Sequence, residues 1–372
     1  MSKLFEPTTI NSLKLANRFV RSATYEGLAG DDGSATPALI DLLVRLARGG
    51  VGLIISSHAY IKPEGQAGPR QLGVYADALV PGLREMTRAV HEAGGKIVLQ
   101  LAHAGGFARP QGTGLTPLAP SNAEGLYKNP PKEMTLTDIQ EVTEGFGLAA
   151  LRAKTAGFDG VQIHAAHGYL LSQFVSPLLN RRLDEFGGTL ENRYRALGQV
   201  LKKIRGAVGP DFPVLVKLNS RDFLEGGLAL EDSLEIGVRL REDGLDAIEL
   251  SGGVLISKNL SPSRAGITAE DKEAYFAEEA RAFKKKISLP LLLVGGVRSF
   301  SVAERIVDQG VADYISMCRP FIREPGLIQR WRSGDLRPAL CLSDNQCFRT
   351  IMSAEGLYCV VERKEKERGP GE

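Results

Sequence analysis

The chain has 372 residues, of which 43% are hydrophobic and 24% charged, and its formal net charge is +2. That composition belongs to an ordinary soluble globular protein with a large core, and the near-balanced charge gives no argument for nucleic acid or a membrane surface as partner. No apolar signal region stands in MSKLFEPTTI and no run approaches the ~20 apolar residues of a membrane span, so a cytoplasmic protein is expected.

Short apolar runs recur along the chain, at residues 19–21, 51–56, 96–101, 161–163, 214–218, 247–250, 291–294 and 314–317. Helical patterns lie between most of them. Ile139, Val142, Phe146 and Ala149 recur at helical spacing behind Thr137-x-x-Gln140, which reads as a capping box. Leu197, Val200, Leu201 and Ile204 form a second apolar stripe behind Thr189, and Ser301-x-x-Glu304 opens a third helix. Eight strand–helix units in one chain predict an α/β protein, a closed (β/α)8 TIM barrel rather than an open sheet. The Gly- and Pro-rich stretch 104–132 is too long for an idle connection and is predicted to cover the barrel mouth. The expected organisation is a barrel over 1–335, a short cysteine-containing C-terminal extension over 336–363, and a tail over 364–372. The charged run ERKEKERGPGE predicts disorder for that tail.

Chemistry concentrates in residues 160–195. A buried strand there runs into His164, His167 and Tyr169, on a loop that feeds a helix. A barrel builds its active site from such strand ends, and two imidazoles with a phenol could converge on one small ligand. Spacing alone leaves structural hydrogen bonding and metal ligation by the histidine pair open as well.

The segments HAAHGYLLSQF, SPLLNRR, DEFGG and ENRYR resemble, in order and spacing, the signature of the old yellow enzyme family of FMN-dependent NADH:flavin oxidoreductases and ene-reductases. The resemblance implies that NADH or NADPH reduces FMN, and that reduced FMN passes hydride to the C=C bond of an α,β-unsaturated carbonyl compound. In this sequence His164 and His167 would bind and polarise the carbonyl of a small activated alkene. Tyr169 would protonate the α-carbon and Tyr25 would stand beside the substrate. No dinucleotide fingerprint is present, so the nicotinamide would share the barrel mouth, with NADH against NADPH left open.

The same resemblance assigns the cofactor shell. Ser22, Ala23 and Thr24 would lie against the flavin ring, with no cysteine near Tyr25 where some members carry one. After the second strand the contact, through a small residue or its backbone, falls on Ser57 or on His58, and His58 reads equally as a plain loop histidine or as a residue near substrate. The Gln100 amide would meet the pyrimidine edge, which alternates donors and acceptors. Lys217, inside a buried strand, would set a fixed positive charge against reduced flavin. Gly295, Gly296, Cys318 and Arg319, after the last two strands, would hold the phosphate.

Three of the four cysteines lie late in the chain. Cys341, Asp344, Cys347 and Cys359 resemble the iron–sulfur motif of the 2,4-dienoyl-CoA reductase and trimethylamine dehydrogenase branch, with Asp344 in place of one thiolate. The reading adopted is that these cysteines pack against apolar neighbours or form an unloaded site. A second domain to supply an electron carrier is not expected. A flavin/iron–sulfur oxidoreductase serving a separate partner protein is the alternative, and a metal-dependent barrel lyase a lesser one. A homo-oligomer is compatible with the sequence.

Overall fold

A hairpin of β1 (Thr8–Ile10) and β2 (Leu13–Leu15) opens the chain. Eight parallel strands come after it: β3 (Phe19–Arg21), β4 (Leu53–Tyr60), β5 (Ile97–Ala102), β8 (Gly160–Ala165), β9 (Val214–Asn219), β10 (Ala247–Ser251), β11 (Leu291–Val294) and β12 (Tyr314–Met317). They close in the order β3-β4-β5-β8-β9-β10-β11-β12 and back to β3. The remaining short strands, β6 (Leu118–Ala119) and β7 (Lys132–Glu133), pair with each other outside the ring. This computed structural model describes residues 2–109, 114–127 and 129–368. Each predicted apolar run is a barrel strand, and nearly every strand residue is buried. Both faces of a parallel barrel are covered, so its strands read as continuous apolar runs rather than alternating ones.

The helices are α1 (Pro37–Arg48), α2 (Val80–Glu92), α3 (Leu136–Thr155), α4 (Leu170–Val175), α5 (Leu190–Val208), α6 (Leu230–Glu242), α7 (Ala277–Lys286), α8 (Phe300–Asp308), α9 (Arg319–Arg323), α10 (Leu327–Arg332), α11 (Cys347–Thr350) and α12 (Val360–Arg368). Inside the ring, Val20, Leu53, Ile55, Val98, Leu215, Ala247 and Leu292 form an apolar plug, and Ile10, Leu13 and Leu15 of the hairpin seal it from below. The C-terminal strand ends are left to carry the chemistry.

Three expectations change. The capping box of α3 is Thr135 with Asp138, not Thr137 with Gln140. The Thr135 hydroxyl accepts from Asp138 N–H at 3.1 Å, and the Asp138 carboxylate accepts from Thr135 N–H at 2.8 Å. An aspartate at the third helical position closes the box as a glutamate would. The N-terminus of α8 falls at Ser299 rather than Ser301. It is satisfied from a distant loop, since Glu273 accepts from Arg298 N–H, Ser299 N–H and the Ser299 hydroxyl. The stretch 104–132, expected over the barrel mouth, packs Ala104 and Ala108 against Tyr169 and brings the Phe107 and Tyr127 rings to 5.1 Å; residues 110–113 and 128 lie outside the described residues. Residues 364–368, expected to be disordered, end α12. That helix is exposed but bridged turn to turn by Glu362–Lys366 at 2.6 Å and Arg363–Glu367 at 3.3 Å, and Glu365 pairs with Arg323. Residues 369–372 lie outside the described residues.

Replacing Thr135 by Ala removes one half of the box and leaves Asp138 N–H without its acceptor. The expected cost is about 1 kcal/mol of stability, read from the urea midpoint.

Candidate active site

Above the apolar plug the barrel turns polar. The Gln100 Nε2 donates to Gln162 Oε1 at 2.6 Å, and Gln162 Nε2 donates to Glu249 Oε2 at 2.9 Å. Ser316 Oγ donates to Glu249 Oε1 at 2.6 Å. Lys217 Nζ stands 3.2 Å from the Glu249 carboxylate and donates to Ser22 Oγ at 2.8 Å. Glu249 is 0% exposed and Lys217 2%, so each charge needs the other. Burial pushes the Glu249 carboxyl up, but the Lys217 ammonium and the Ser316, Ser22 and Gln162 donors outweigh it and hold the pKa below the ordinary carboxylate value. Sequence reasoning missed Glu249; the lone acid in the apolar run 247–250 was the available signal.

This polar layer is the floor of a cavity of about 470 Å³, a size that suits a cofactor or small ligand. The predicted Ser22, Ala23, Thr24, Gln100 and Lys217 all face it. On one side stand Tyr25, His58, His164, His167 and Tyr169. Ring centroids are 5.2 Å apart for His164 and His167, 4.7 Å for His164 and Tyr169, and 6.2 Å for His58 and His164.

His167 has φ +63° and is followed by Gly168 at +82°, so the loop after β8 reverses through two left-handed residues. For histidine that conformation is strained and has to be held. Asn219 Oδ1 accepts from its N–H at 3.1 Å, and its carbonyl accepts from Leu255 N–H at 3.3 Å. Its Nε2 meets Ser251 Oγ at 2.8 Å. Asn219 and Ser251 end β9 and β10, and neither was legible in the sequence as a site residue. Tyr169 caps α4 and packs against Ala102, Ala104 and Ala108.

Burial, then the neighbouring imidazoles and Lys217, holds His164 well below the ordinary histidine pKa. Burial followed by Lys217 and His58 does the same for His167. Both rings are therefore neutral at pH 7. The Ala166 N–H donates to His164 Nδ1 at 3.3 Å, which leaves the His164 proton on Nε2 as a donor. Burial raises the Tyr169 phenol, so it keeps its proton. The arrangement is two neutral imidazoles beside one protonated phenol.

A bulge sets which of the Ser57 and His58 side chains faces the cavity. Leu53 and Ile55 point into the barrel, so simple alternation would send Ser57 inward. The register shifts between Ile55, opposite Val98, and His58, opposite Gln100. One extra residue on β4 re-aims the side chains beyond it. Ser57 turns away and donates to Glu26, itself paired with Arg21, while His58 enters the cavity.

β12 stands opposite β8 in the ring. There Gly296, Arg298, Cys318 and Arg319 line the cavity, the last two at the start of α9. Gly295 does not line it; its carbonyl accepts from Tyr275 N–H at 3.1 Å. Arg319 Nη1 donates to Asn345 Oδ1 at 2.8 Å. Asn345 belongs to the C-terminal extension, whose Ser343, Phe348 and Ile351 also line the cavity, whereas no described residue of 104–132 does.

Among the described residues no three His, Cys, Asp or Glu side chains are placed to hold a metal ion. The exposed Asp344 accepts from Gln346 N–H at 3.1 Å, as a turn residue does. Cys341 Sγ accepts from Ser343 N–H at 3.4 Å, and its thiol is raised by burial. Cys347 packs with Ile351 and Leu357, and burial pushes its thiol up to about 12. Cys359 is half-buried, and none of these four residues lines the cavity.

Residues 3–336 match the model of the NADH:flavin oxidoreductase / NADH oxidase family. The chain is 38% identical over 336 residues to an NADH oxidase of Thermoanaerobacter brockii, covering 89% of this chain and 51% of that one. It is 35% identical to an NADPH dehydrogenase of Bacillus subtilis, covering 87% and 92%. A 2-naphthoyl-CoA reductase structure superposes with a TM-score of 0.86 at 30% identity, over 91% of this chain and 54% of that one. The chain thus spans about half the length of some relatives and nearly the whole of others.

Replacing Glu249 by Ala would strand the Lys217 ammonium in the barrel. The expected loss is about 3–5 kcal/mol of stability, read by denaturant unfolding beside the exposed control Glu144→Ala.

Proposed function

The chain belongs to the NADH:flavin oxidoreductase / NADH oxidase family, and on that premise we propose that it binds FMN across the barrel mouth and, using NADH or NADPH, reduces the C=C bond of small α,β-unsaturated carbonyl compounds. The observation that carries this reading is the neutral His164–His167 pair with protonated Tyr169 4.7 Å from His164, in one cavity with two guanidinium groups on its far side.

The donor set suits FMN. Gln100 can serve a ring edge that alternates donors and acceptors, and Lys217 offers a fixed positive charge below it. Arg298 and Arg319 suit the phosphate, and Arg298 Nε is a buried donor without a partner among the described residues. When bound, FMN supplies the hydride chemistry, taking hydride from the nicotinamide and giving it to the alkene β-carbon.

The chain's own residues do the rest. His164 Nε2–H and the His167 ring donate to the carbonyl oxygen, where negative charge develops as the β-carbon is attacked. As neutral donors they stabilise that charge without transferring a proton. Tyr169 delivers the proton to the α-carbon. The Asn219 and Ser251 contacts hold His167 in place before the substrate arrives, so little reorganisation is needed. The lyase and electron-partner readings find less support, because among the described residues no group of three or more His, Cys, Asp or Glu side chains is placed to hold a metal ion.

FMN-loaded protein should bleach its flavin absorbance on anaerobic NADPH or NADH and regain it on 2-cyclohexen-1-one. Failure to take up FMN, or a reduced protein that the enone does not reoxidise, would overturn the reading. Tyr169→Phe should slow reoxidation by about 10²-fold or more, the range of a lost general acid, with a much smaller effect on bleaching.

A further inference from the structure

Lys217, Arg298 and Arg319 line the cavity, and no carboxylate among the described residues lines it with them. Lys217 is paired with Glu249 from below. Neither arginine side chain has an acidic partner among the described residues. Arg319, 7% exposed, donates from Nη1 to Asn345 Oδ1 at 2.8 Å. Arg298 donates from Nη2 to the Ala339 carbonyl at 2.6 Å and from Nη1 to the Ile267 carbonyl at 3.4 Å, and its Nε is buried without a partner. A cation taken out of water is costly unless it is paired. A carboxylate would pair it but would also cancel its charge. A neutral oxygen fixes the direction of a guanidinium and leaves the charge whole for an anion from outside.

Ala339 and Asn345 both belong to the C-terminal extension, beyond residue 336 where the family match ends. The extension is shaped to present them. Ser343 and Asn345 have left-handed backbone, with φ +53° and +60°, a conformation that asparagine tolerates better than most residues. The turn is pinned from outside: Gly266 N–H donates to the Ser343 carbonyl at 3.0 Å, and Ala339 N–H donates to the Arg298 carbonyl at 2.8 Å. Asn345 Nδ2 donates to the Ser263 carbonyl at 2.8 Å, so its Oδ1 is the atom that faces Arg319.

We infer that residues 339–345 are the positioning segment for the cofactor phosphate, with Asn345 aiming Arg319 and the Ala339 carbonyl aiming Arg298. The inference rests on the proposed function, in which the anion is the phosphate of FMN. Both acceptors are neutral, so two guanidinium groups stay aimed and unneutralised before the cofactor arrives. The coupling runs both ways: a segment that directs the arginines at the phosphate is itself held in place by the phosphate.

The test is a flavin titration of the full chain with FMN and with riboflavin, which carries the same ring system without the phosphate. The variants are Asn345→Gly, which keeps the left-handed turn, and Asn345→Asp, which sets a carboxylate on Arg319. FMN affinity should fall about tenfold or more in Asn345→Gly, the loss of one hydrogen bond to a charged group, and further in Asn345→Asp. Riboflavin affinity should change by less than about twofold in both, since no contact to the ring is removed. A merely structural role would weaken the two flavins alike, and that result would overturn the inference. A second readout uses amide hydrogen exchange. Saturating FMN should slow exchange over 339–345 in the wild type and not in Asn345→Asp. Should riboflavin fail to bind measurably, this comparison decides, and equal protection in wild type and variant would overturn the inference. Wild type that takes up neither flavin would defeat the proposed function, and this inference would fall with it.

Discussion

The buried pair Lys217–Glu249 is the constraint on which the rest of the site depends. A single ammonium in the middle of a barrel is untenable, and so is a single carboxylate. Each is tolerable here because the pair is surrounded by further partners, Gln162 and Ser316 on the acid and Ser22 on the lysine. With Gln100 joined through Gln162, the network links residues on or next to β3, β5, β8, β9, β10 and β12. It is a floor as much as a charge, because it fixes where Gln100 and Lys217 stand relative to each other. The low local dielectric that makes the pair costly also makes its field strong above it.

That field adds to what burial does to the imidazoles. Burial first, with Lys217 adding to it, keeps His58, His164 and His167 neutral, with His58 lowered to about 3. A charged imidazole in this cavity would repel its neighbours and the lysine. A neutral one is a plain directional donor whose direction is set by whatever occupies its other nitrogen: Ala166 N–H for His164, Gln71 for His58. The tautomers are thus chosen by backbone and amide contacts outside the cavity, and the donors are oriented before any ligand is present.

The C-terminal extension contributes to the site in an unexpected way. Its cysteines are buried or half-buried, and Asp344 faces solvent, yet the same segment places Asn345 on Arg319 and Phe348 and Ile351 on the cavity wall. It is fastened by Arg70, which donates to the Ile351 and Ala354 carbonyls at 3.1 and 2.9 Å, and by Leu357 N–H on Glu26 O at 2.8 Å. The wall over the cavity therefore comes from the end of the chain, while the stretch 104–132 borders the rim.

The sequence by itself determined the eight buried strands and the loop that carries His164, His167 and Tyr169. Burial periodicity, turn residues and the order of short motifs are properties of a local window and survive without knowledge of partners. It also singled out Lys217, since a cation in an apolar run is conspicuous. Only the tertiary structure decided which of the Ser57 and His58 side chains faces the cavity, because one extra residue in β4 inverts the alternation from which the inward face is read. Only the tertiary structure brought Glu249 to Lys217, Asn219 to His167, Glu273 to the start of α8 and Asn345 to Arg319. Each of those contacts joins separate elements across the barrel mouth, where proximity is set by ring closure and not by spacing along the chain.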